Sequence, residues 1–246
     1  MATAIQKPYK GMGMEGWVAK WYAATTRKDL AEFQNLAKAI ASELPSRSKI
    51  LEVAPGPGFL AIELAKAGNF EVTGLDISKS FVLIARENAA REGMRVDFRL
   101  GNAAAMPFDG GTFDRAICRA AFKNFAQPVA ALREMRRVLK PDGKALIIDL
   151  RKDVAIGSID AYVDKLDLNL FSRAVTKWTF RNMLIKRAYT TGHFRELTRQ
   201  SGFLRSEIAE NEIGFQAWLD KGLLQEGLIQ ECPVAEIAAA ASNRNS

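Results

Sequence analysis

The sequence predicts an α/β fold: a seven-stranded, mostly parallel sheet with helices on both faces, plus N-terminal helices and a helical insertion before the last strands. Three observations carry this. Between Lys49 and Leu150, short apolar runs alternate with amphipathic helical segments, which is the pattern of a parallel sheet covered on both sides. The first of those runs enters a loop of Ala, Pro and Gly, "LEVAPGPG" at residues 51–58, that leads straight into a helical pattern. After the last helical pattern come two more strand-like runs, "FLRSEIAE" and "EIGFQAWLDKG".

In chain order, residues 1–13 are rich in Gly, Lys and Met and read as a loose arm. Residues 14–44 read as helical: Trp17, Val18, Trp21 and Tyr22, then Leu30, Phe33, Leu36, Ala37 and Ile40, recur at helical spacing until Pro45. "KILEVA" is the first strand and "GFLAIELAKAG" a helix stopped at Gly68. "FEVTGLD" is the second strand, followed by a helix over "SKSFVLIARENAAREG" that Ser78 caps and Gly93 closes. "RVDFRLG" and "FDRAICR" are the third and fourth strands. The next helix is expected over "QPVAALREMRRVLKPDG", with Pro128 near its start and Arg136, Arg137 and Lys140 in its last turns, where cations suit the dipole. "KALIIDL" is the fifth strand. Residues 151–190 break the rhythm and predict two helices, about Ile159–Phe171 and Thr176–Arg187, whose apolar side chains are expected to serve mainly in packing. A helix over about 192–201 ends at Gly202. The division expected is an arm with helices (1–44), a core (45–150), the insertion (151–190), a final helix and strands completing the core (191–221), and a tail (222–246).

With 246 residues, 48% of them hydrophobic, the chain is long enough to bury a full-sized core. Its net charge of +7 is scattered with no basic run, so the cations read mainly as solvated surface, although a basic face for an anionic substrate or membrane stays open. The two cysteines, Cys118 and Cys232, show no pairing pattern, and the N-terminus lacks the apolar core of a signal peptide, so a reducing cytoplasm is expected. No apolar run approaches the ~18 residues of a membrane span, and no metal-ligand cluster is present.

The loop after the first strand is the chemical clue. In an open parallel sheet, ligands bind at the carboxyl ends of the strands. Gly56 and Gly58 let backbone approach a ligand closely, and the helix that follows points free N–H groups at the same space. A dinucleotide fold would carry Gly-x-Gly-x-x-Gly. Here the third glycine is missing, and Pro55 and Pro57 each remove an N–H donor. A ligand without phosphates fits better than a pyrophosphate. Asp76 ends the second strand, where a carboxylate can accept from both hydroxyls of a ribose; as a residue alone it reads equally as a helix cap just before Ser78.

Taken together, "ILEVAPGPG", "VTGLDIS", "GNAAAMPFDGGTFD" and "ALREMRRVLKPDGKALIID" resemble, in order and spacing over residues 49–150, the successive motifs of class I S-adenosylmethionine-dependent methyltransferases, which share a Rossmann-like fold. "FKNFAQPVAALREMRRVLKPDG" is similar to the same segment of the ubiquinone/menaquinone-biosynthesis (type 11) group. The resemblance implies S-adenosylmethionine as cofactor and a small organic substrate: aromatic, quinone-like or otherwise hydrophobic. It implies that Glu52 receives the amino group of the methionine part, with Ala54, Gly56 and Gly58 beside it. Asp76 would hold the ribose hydroxyls, Ile77 would pack on the adenine, and Asn102 and Ala103 would meet the adenine edge, Asn standing where the family usually has Asp. Arg119 and Tyr22 would border the methionine end, while read as residues alone they are a surface arginine and a core aromatic.

Methyl transfer from a sulfonium is an in-line displacement, so alignment of the two reactants is the main requirement. A proton acceptor is optional, and no compelling one is present; the candidates for a catalytic role are Arg119, Lys123 and His193. Lys123 and Asn124 match an Arg-Asn pair of the quinone-type group and are candidates for holding an acidic or enolate-like substrate. Arg151, at the expected cleft rim, and Tyr162 and Trp178, in the 151–190 insertion expected to form a helical lid over the substrate, are the further substrate candidates. No Asn/Asp-Pro-Pro-Tyr follows the fourth strand, which argues against amino-methylation of bases, and no Asp-Asn pair follows the fifth, which argues against a metal-dependent catechol enzyme. The expected partner is a small molecule rather than nucleic acid, and a homodimer stays open. The alternatives are an NAD-type oxidoreductase, a non-catalytic S-adenosylmethionine-binding protein and an RNA methyltransferase.

Overall fold

A computed structural model describes residues 9–10, 13–166 and 169–222. The expected tail, with Cys232, lies outside the described residues. Seven strands form one sheet in the order β3-β2-β1-β4-β5-β7-β6. They are β1 (Lys49–Val53), β2 (Glu71–Asp76), β3 (Asp97–Leu100), β4 (Phe113–Arg119), β5 (Leu139–Leu150), β6 (Arg205–Glu210) and β7 (Gly214–Asp220). The first five pair in parallel, and β7 runs antiparallel to both β5 and β6.

Helices cover both faces, as the apolar runs require. Before the sheet come α1 (Gly16–Thr26) and α2 (Leu30–Ser42); within it come α3 (Phe59–Ala67), α4 (Lys79–Arg91) and α5 (Pro128–Val138). Alternate residues of β4 feed opposite cores. Ile117 joins Phe33, Ile40, Leu60 and Val82 under α2, α3 and α4, while Ala116 and Cys118 join Leu132, Met135 and Phe194 on the other face. Ser78 caps α4 as expected, accepting from the Phe81 N–H at 3.0 Å.

Three sequence expectations need correction. The helix over 127–143 stops at Val138, and Leu139 already pairs with Phe113 in β5. Pro141 disfavours helical backbone at Lys140 and supplies no N–H. Lys140 therefore does not sit in a helix end but reaches Asp114 of β4, with both carboxylate oxygens at 2.8 Å. The pairing then jumps from Leu139 to Lys144, leaving a bulge.

The insertion also differs. It forms α6 (Ile156–Asp164) and α7 (Leu170–Thr179), then a π turn (Phe180–Leu184) running into the short α8 (Ile185–Arg187), before α9 (Thr191–Ser201). Ile159 and Val163 of α6 pack on Val154 and Ile213, with Tyr162, Phe180 and Ile185 against them. On α7 the packing expectation fails: Leu170, Phe171 and Trp178 are 82%, 79% and 59% exposed. Their spacing places them on one face of that helix, turned away from the core.

The N-terminal arm is not loose where it is described. Tyr9 bridges Phe125, Lys10 N–H donates to the Asn124 carbonyl at 2.7 Å, and Lys10 Nζ donates to the Tyr189 hydroxyl at 2.6 Å.

Candidate functional site

A cavity of about 900 Å³ opens at the carboxyl ends of β1, β2, β4 and β5, where the strand order reverses between β1 and β4. Both strands at the reversal end in a strained residue. Ala54 (φ +57°) and Ala120 (φ +58°) sit in left-handed backbone that non-glycine residues seldom adopt. Each is fixed there by its N–H: Ala54 donates to the Leu75 carbonyl at 2.8 Å and Ala120 to the Ile148 carbonyl at 2.7 Å. Strain of this sort persists where surrounding structure over-determines it, as at binding sites.

Glu52 lines the cavity, 3% exposed, and its Oε2 has no hydrogen-bond partner among the described residues. Burial pushes its pKa up to about 8; the Ala61 N–H and the Arg119 charge oppose the shift. Asp76 lies across the loop. Its Oδ2 accepts from Gly56 N–H at 3.0 Å and its Oδ1 from Ser78 N–H at 2.8 Å. Burial raises its pKa to about 6, against the pull of the Ser78 and Gly56 N–H groups. Each oxygen keeps lone-pair capacity for a further donor.

Arg119 lines the same wall. It pairs with Glu32 at 2.6 Å and stacks over the Phe33 ring, 4.5 Å from its centre. The segment before α1 closes the opposite side. Glu15 accepts the N–H groups of Lys79 and Ser80 at the start of α4, both at 3.0 Å, and the Ser78 hydroxyl donates to the Met14 carbonyl at 2.6 Å. Tyr22 faces the cavity with its ring edge against Phe81.

Comparison with known proteins decides the family. A methyltransferase-domain family matches residues 50–143. Demethylmenaquinone methyltransferase from Bacillus cytotoxicus is 32% identical over 179 residues, 69% of this chain and 76% of that protein. The chain belongs to the class I S-adenosylmethionine-dependent methyltransferases. It spans about half the length of another relative, the Deinococcus radiodurans demethylmenaquinone methyltransferase: 34% identity over 46% of this chain and 48% of that one. Among solved structures, a Methanococcus maripaludis chain described as an S-adenosyl-L-methionine-dependent methyltransferase superposes with a TM-score of 0.70 at 22% identity, covering 89% of this chain and 98% of that one. The [4+2]-cyclase SpnF shares the fold at a TM-score of 0.55 and 26% identity, over 71% of this chain and 59% of that one.

The methyltransferase's cofactor fits the residues present. The orphaned carboxyl oxygen of Glu52 suits an ammonium group, and the proline-interrupted loop suits a ligand without phosphates. Tyr22, Glu52, Ala54, Gly56, Asp76, Ile77, Asn102, Ala103, Arg119, Lys123, Asn124 and Tyr162 all border the one cavity. Asn102 is partly engaged: its Oδ1 accepts from Ala104 N–H at 2.9 Å, leaving one lone pair.

Other expected residues are not brought there. Gly58 does not line the cavity; it begins α3 at φ +80°, and a Cβ there would lie 2.6 Å from the Phe98 ring, so this glycine serves packing. Arg151 is turned to Glu210 in an ion pair off the cavity wall. Trp178 faces outward on α7, because that helix presents its apolar stripe to the outside. His193 sits in the first turn of α9, its N–H donating to Thr190 Oγ1 and its ring against Tyr189. Lys123 does border the cavity, but its ammonium is spent on Asp149 at 2.8 Å and on the Ala120 carbonyl.

Sequence reasoning did not find Arg187, Phe180, Met183 and Leu184, nor the Asn211–Gly214 turn, all of which wall the cavity from the insertion side. Nothing in their spacing marks them, since tertiary folding alone carries them over the strand ends. A second, more open groove of about 1070 Å³ lies at the other end of β2 and β3. Two of its charged pairs answer each other, Arg99 with Asp97 at 2.7 Å and Lys49 with Glu71 at 3.6 Å, and among the described residues it holds no buried polar side-chain atom without a partner. Among those residues no helix is long and apolar enough to cross a membrane, and no side-chain cluster suits a metal ion.

Proposed function

We propose that this cavity binds S-adenosylmethionine with Glu52 at the methionine amino group and Asp76 at the ribose hydroxyls, and that the chain methylates a small, largely apolar organic molecule. The observation that carries the reading is the buried, unpartnered Glu52 oxygen in the same cavity as Asp76. The names of its relatives point to a quinone-type substrate. The apolar side chains of Phe125, Phe180, Met183 and Leu184 support a flat or hydrophobic one.

When bound, S-adenosylmethionine supplies a methyl group made electrophilic by its sulfonium. The chain's own residues bind, orient and exclude water. Glu52 and Asp76 anchor two ends of the donor, and the left-handed turns at Ala54 and Ala120 lead the chain out of β1 and β4 along the cavity wall. The insertion and the N-terminal segment cover the space in which the acceptor must lie. Among the described residues no side chain is set as an obvious base. Lys123 is paired with Asp149, His193 lies off the cavity, and burial together with the Glu32 and Asp29 charges raises the pKa of the Tyr162 phenol. Orientation is therefore the main catalytic contribution.

A second reading, S-adenosylmethionine binding without methyl transfer, is favoured by that lack of a base and by the likeness to a cyclase. Calorimetry tests the first claim: S-adenosylhomocysteine binds, NAD does not, and Asp76→Ala weakens binding. Binding of NAD instead sinks it. Radiolabelled methyl transfer into a cell extract tests the second claim. Label in a small organic fraction supports methylation of a small molecule; label in RNA alone, or none, overturns it.

A further inference from the structure

We propose that the insertion side of the cavity is an anion subsite in which Arg187, with Lys10, receives the carboxylate of an otherwise apolar acid. This rests on the reading of the cavity as a methyltransferase site and names the substrate's polar handle.

The cations that line the cavity differ in one respect. Arg119 is matched by Glu32 and Lys123 by Asp149. Arg187, at the end of α8, borders the cavity and has no hydrogen bond or ion pair among the described residues. Lys10 also meets no carboxylate among them. Its Nζ donates to the Tyr189 hydroxyl and lies 4.7 Å from the centre of that ring. Tyr189 follows Arg187 by two residues, so the same short segment carries one cation and holds the other. Beside Lys10, and bordering the same cavity, is Asn124, whose carbonyl accepts the Lys10 N–H and whose side-chain oxygen is buried without a partner among the described residues. Turned the other way, that amide offers two N–H donors to the same place.

Glu52 and Asp76 are given to the cofactor in the reading above, and the other acids around the cavity already have partners. Glu212 meets Lys165 at 2.9 Å, and Glu15 meets the first N–H groups of α4. An uncompensated guanidinium in a partly apolar cavity is a binding element for an anion, because desolvation strengthens a charge-assisted pair. The planar fork of arginine takes carboxylate and phosphate alike, but Glu32, Asp149 and Glu212 border the same cavity and would repel a phosphate's second charge, so a singly charged carboxylate suits it better. Phe125, Phe180, Met183 and Leu184 form the apolar wall for the rest of the molecule. Arg187 also lies in the last turn of a helix, where a cation suits the dipole, so the test must separate the two roles.

The full chain, saturated with S-adenosylhomocysteine, is titrated by calorimetry with naphthalene-2-carboxylate, its uncharged carboxamide and 2-naphthyl phosphate. The acid is expected to bind about ten-fold more tightly than the amide, and the phosphate no more tightly than the acid. Arg187→Gln should reduce the acid to the affinity of the amide while leaving amide and S-adenosylhomocysteine binding unchanged, and Arg187→Lys should keep part of the preference. Failure of the acid to bind, equal affinities for acid and amide, a preference that survives Arg187→Gln, or tighter binding of the phosphate each overturns the assignment. A lowered melting temperature in Arg187→Gln with the preference intact assigns the residue to the helix end alone and overturns it too. S-adenosylhomocysteine binding to the unsubstituted chain is read first. Its absence sinks the methyltransferase reading, and the acid-to-amide ratio on the ligand-free chain then judges the subsite by itself.

Discussion

Glu52 is a carboxyl group that folding places out of water without a hydrogen-bond partner for one oxygen, and its titration should report the site. Its pKa rises from 4.5 to about 8, so the folded state keeps a proton that the unfolded chain loses between those values. The folded state binding more protons means that stability falls as pH rises through that window. Asp76, raised from 3.8 to about 6, acts with the same sign at lower pH. The ligand-free melting temperature is therefore expected to fall from about pH 6 to about pH 8, with a flatter profile in Glu52→Gln. S-adenosylhomocysteine, whose ammonium favours the ionised carboxyl, should bind more tightly as pH rises over the same range and release a proton. Calorimetry in buffers of different ionisation enthalpy measures that release, and a heat independent of buffer would argue against the pairing. The neighbouring loop gives a second expectation. Ala54→Gly relieves a left-handed strain but adds unfolded-chain entropy, so it should change stability by no more than about 1 kcal/mol and keep binding. Gly56→Val puts a β-branched residue at φ +56° and should abolish S-adenosylhomocysteine binding. Unimpaired binding by that variant would remove the loop from the site.

At the level of elements, the ends of β4 and β5 are held by the buried pair of Lys123 and Asp149, whose side chains are 4% and 2% exposed. Lys123→Met leaves a buried carboxylate without its cation and should lower stability by about 3–5 kcal/mol in urea unfolding. A loss under ~1 kcal/mol would mean that Asp149 is satisfied by other groups. The insertion offers a contrast between adjacent helices. Ile159 of α6 is 2% exposed, and Ile159→Ala should cost about 2–5 kcal/mol. Phe171 of α7 is 79% exposed, and Phe171→Ser should move stability by no more than about 0.5 kcal/mol. Equal losses at the two positions would mean that α7 is covered. How much of each element was legible in the sequence follows its physics. The helix from Thr191 to Ser201 is bounded by local signals, Thr190 accepting from the His193 N–H and Gly202 at φ +87°, and its place was readable. The break between α6 and α7 carries a signal of the same kind, Asn169 capping α7 by accepting from the Ser172 N–H at 2.8 Å, which the reading of a single helix out to Phe171 passed over.

Across the molecule, the cavity draws walls from the N-terminal segment, four strand ends, the insertion and the turn between β6 and β7. A ligand that binds only when these are assembled stabilises the whole fold by mass action. S-adenosylhomocysteine at a hundred times its dissociation constant should add about 2.7 kcal/mol to the unfolding free energy, read as a rise in melting temperature. A rise limited to a few tenths of that would place the binding on a part of the chain that opens separately.

The sequence by itself determined the parallel sheet, because its strands are buried on both faces and read as apolar runs, and it marked the ligand loop, because glycine and proline constrain backbone locally. The likeness of its motifs to the methyltransferases brought out Glu52 and Arg119, and Asp76 was also read from its place at the end of the second strand; all three border the cavity. Tertiary structure alone decided which cations find a carboxylate among the described residues. Lys123, Arg151 and Arg187 are alike as letters, yet the first is spent on Asp149, the second on Glu210, and the third is left facing the cavity. That difference depends on which carboxylates fold within hydrogen-bond reach, and no spacing along the chain encodes a distance across it.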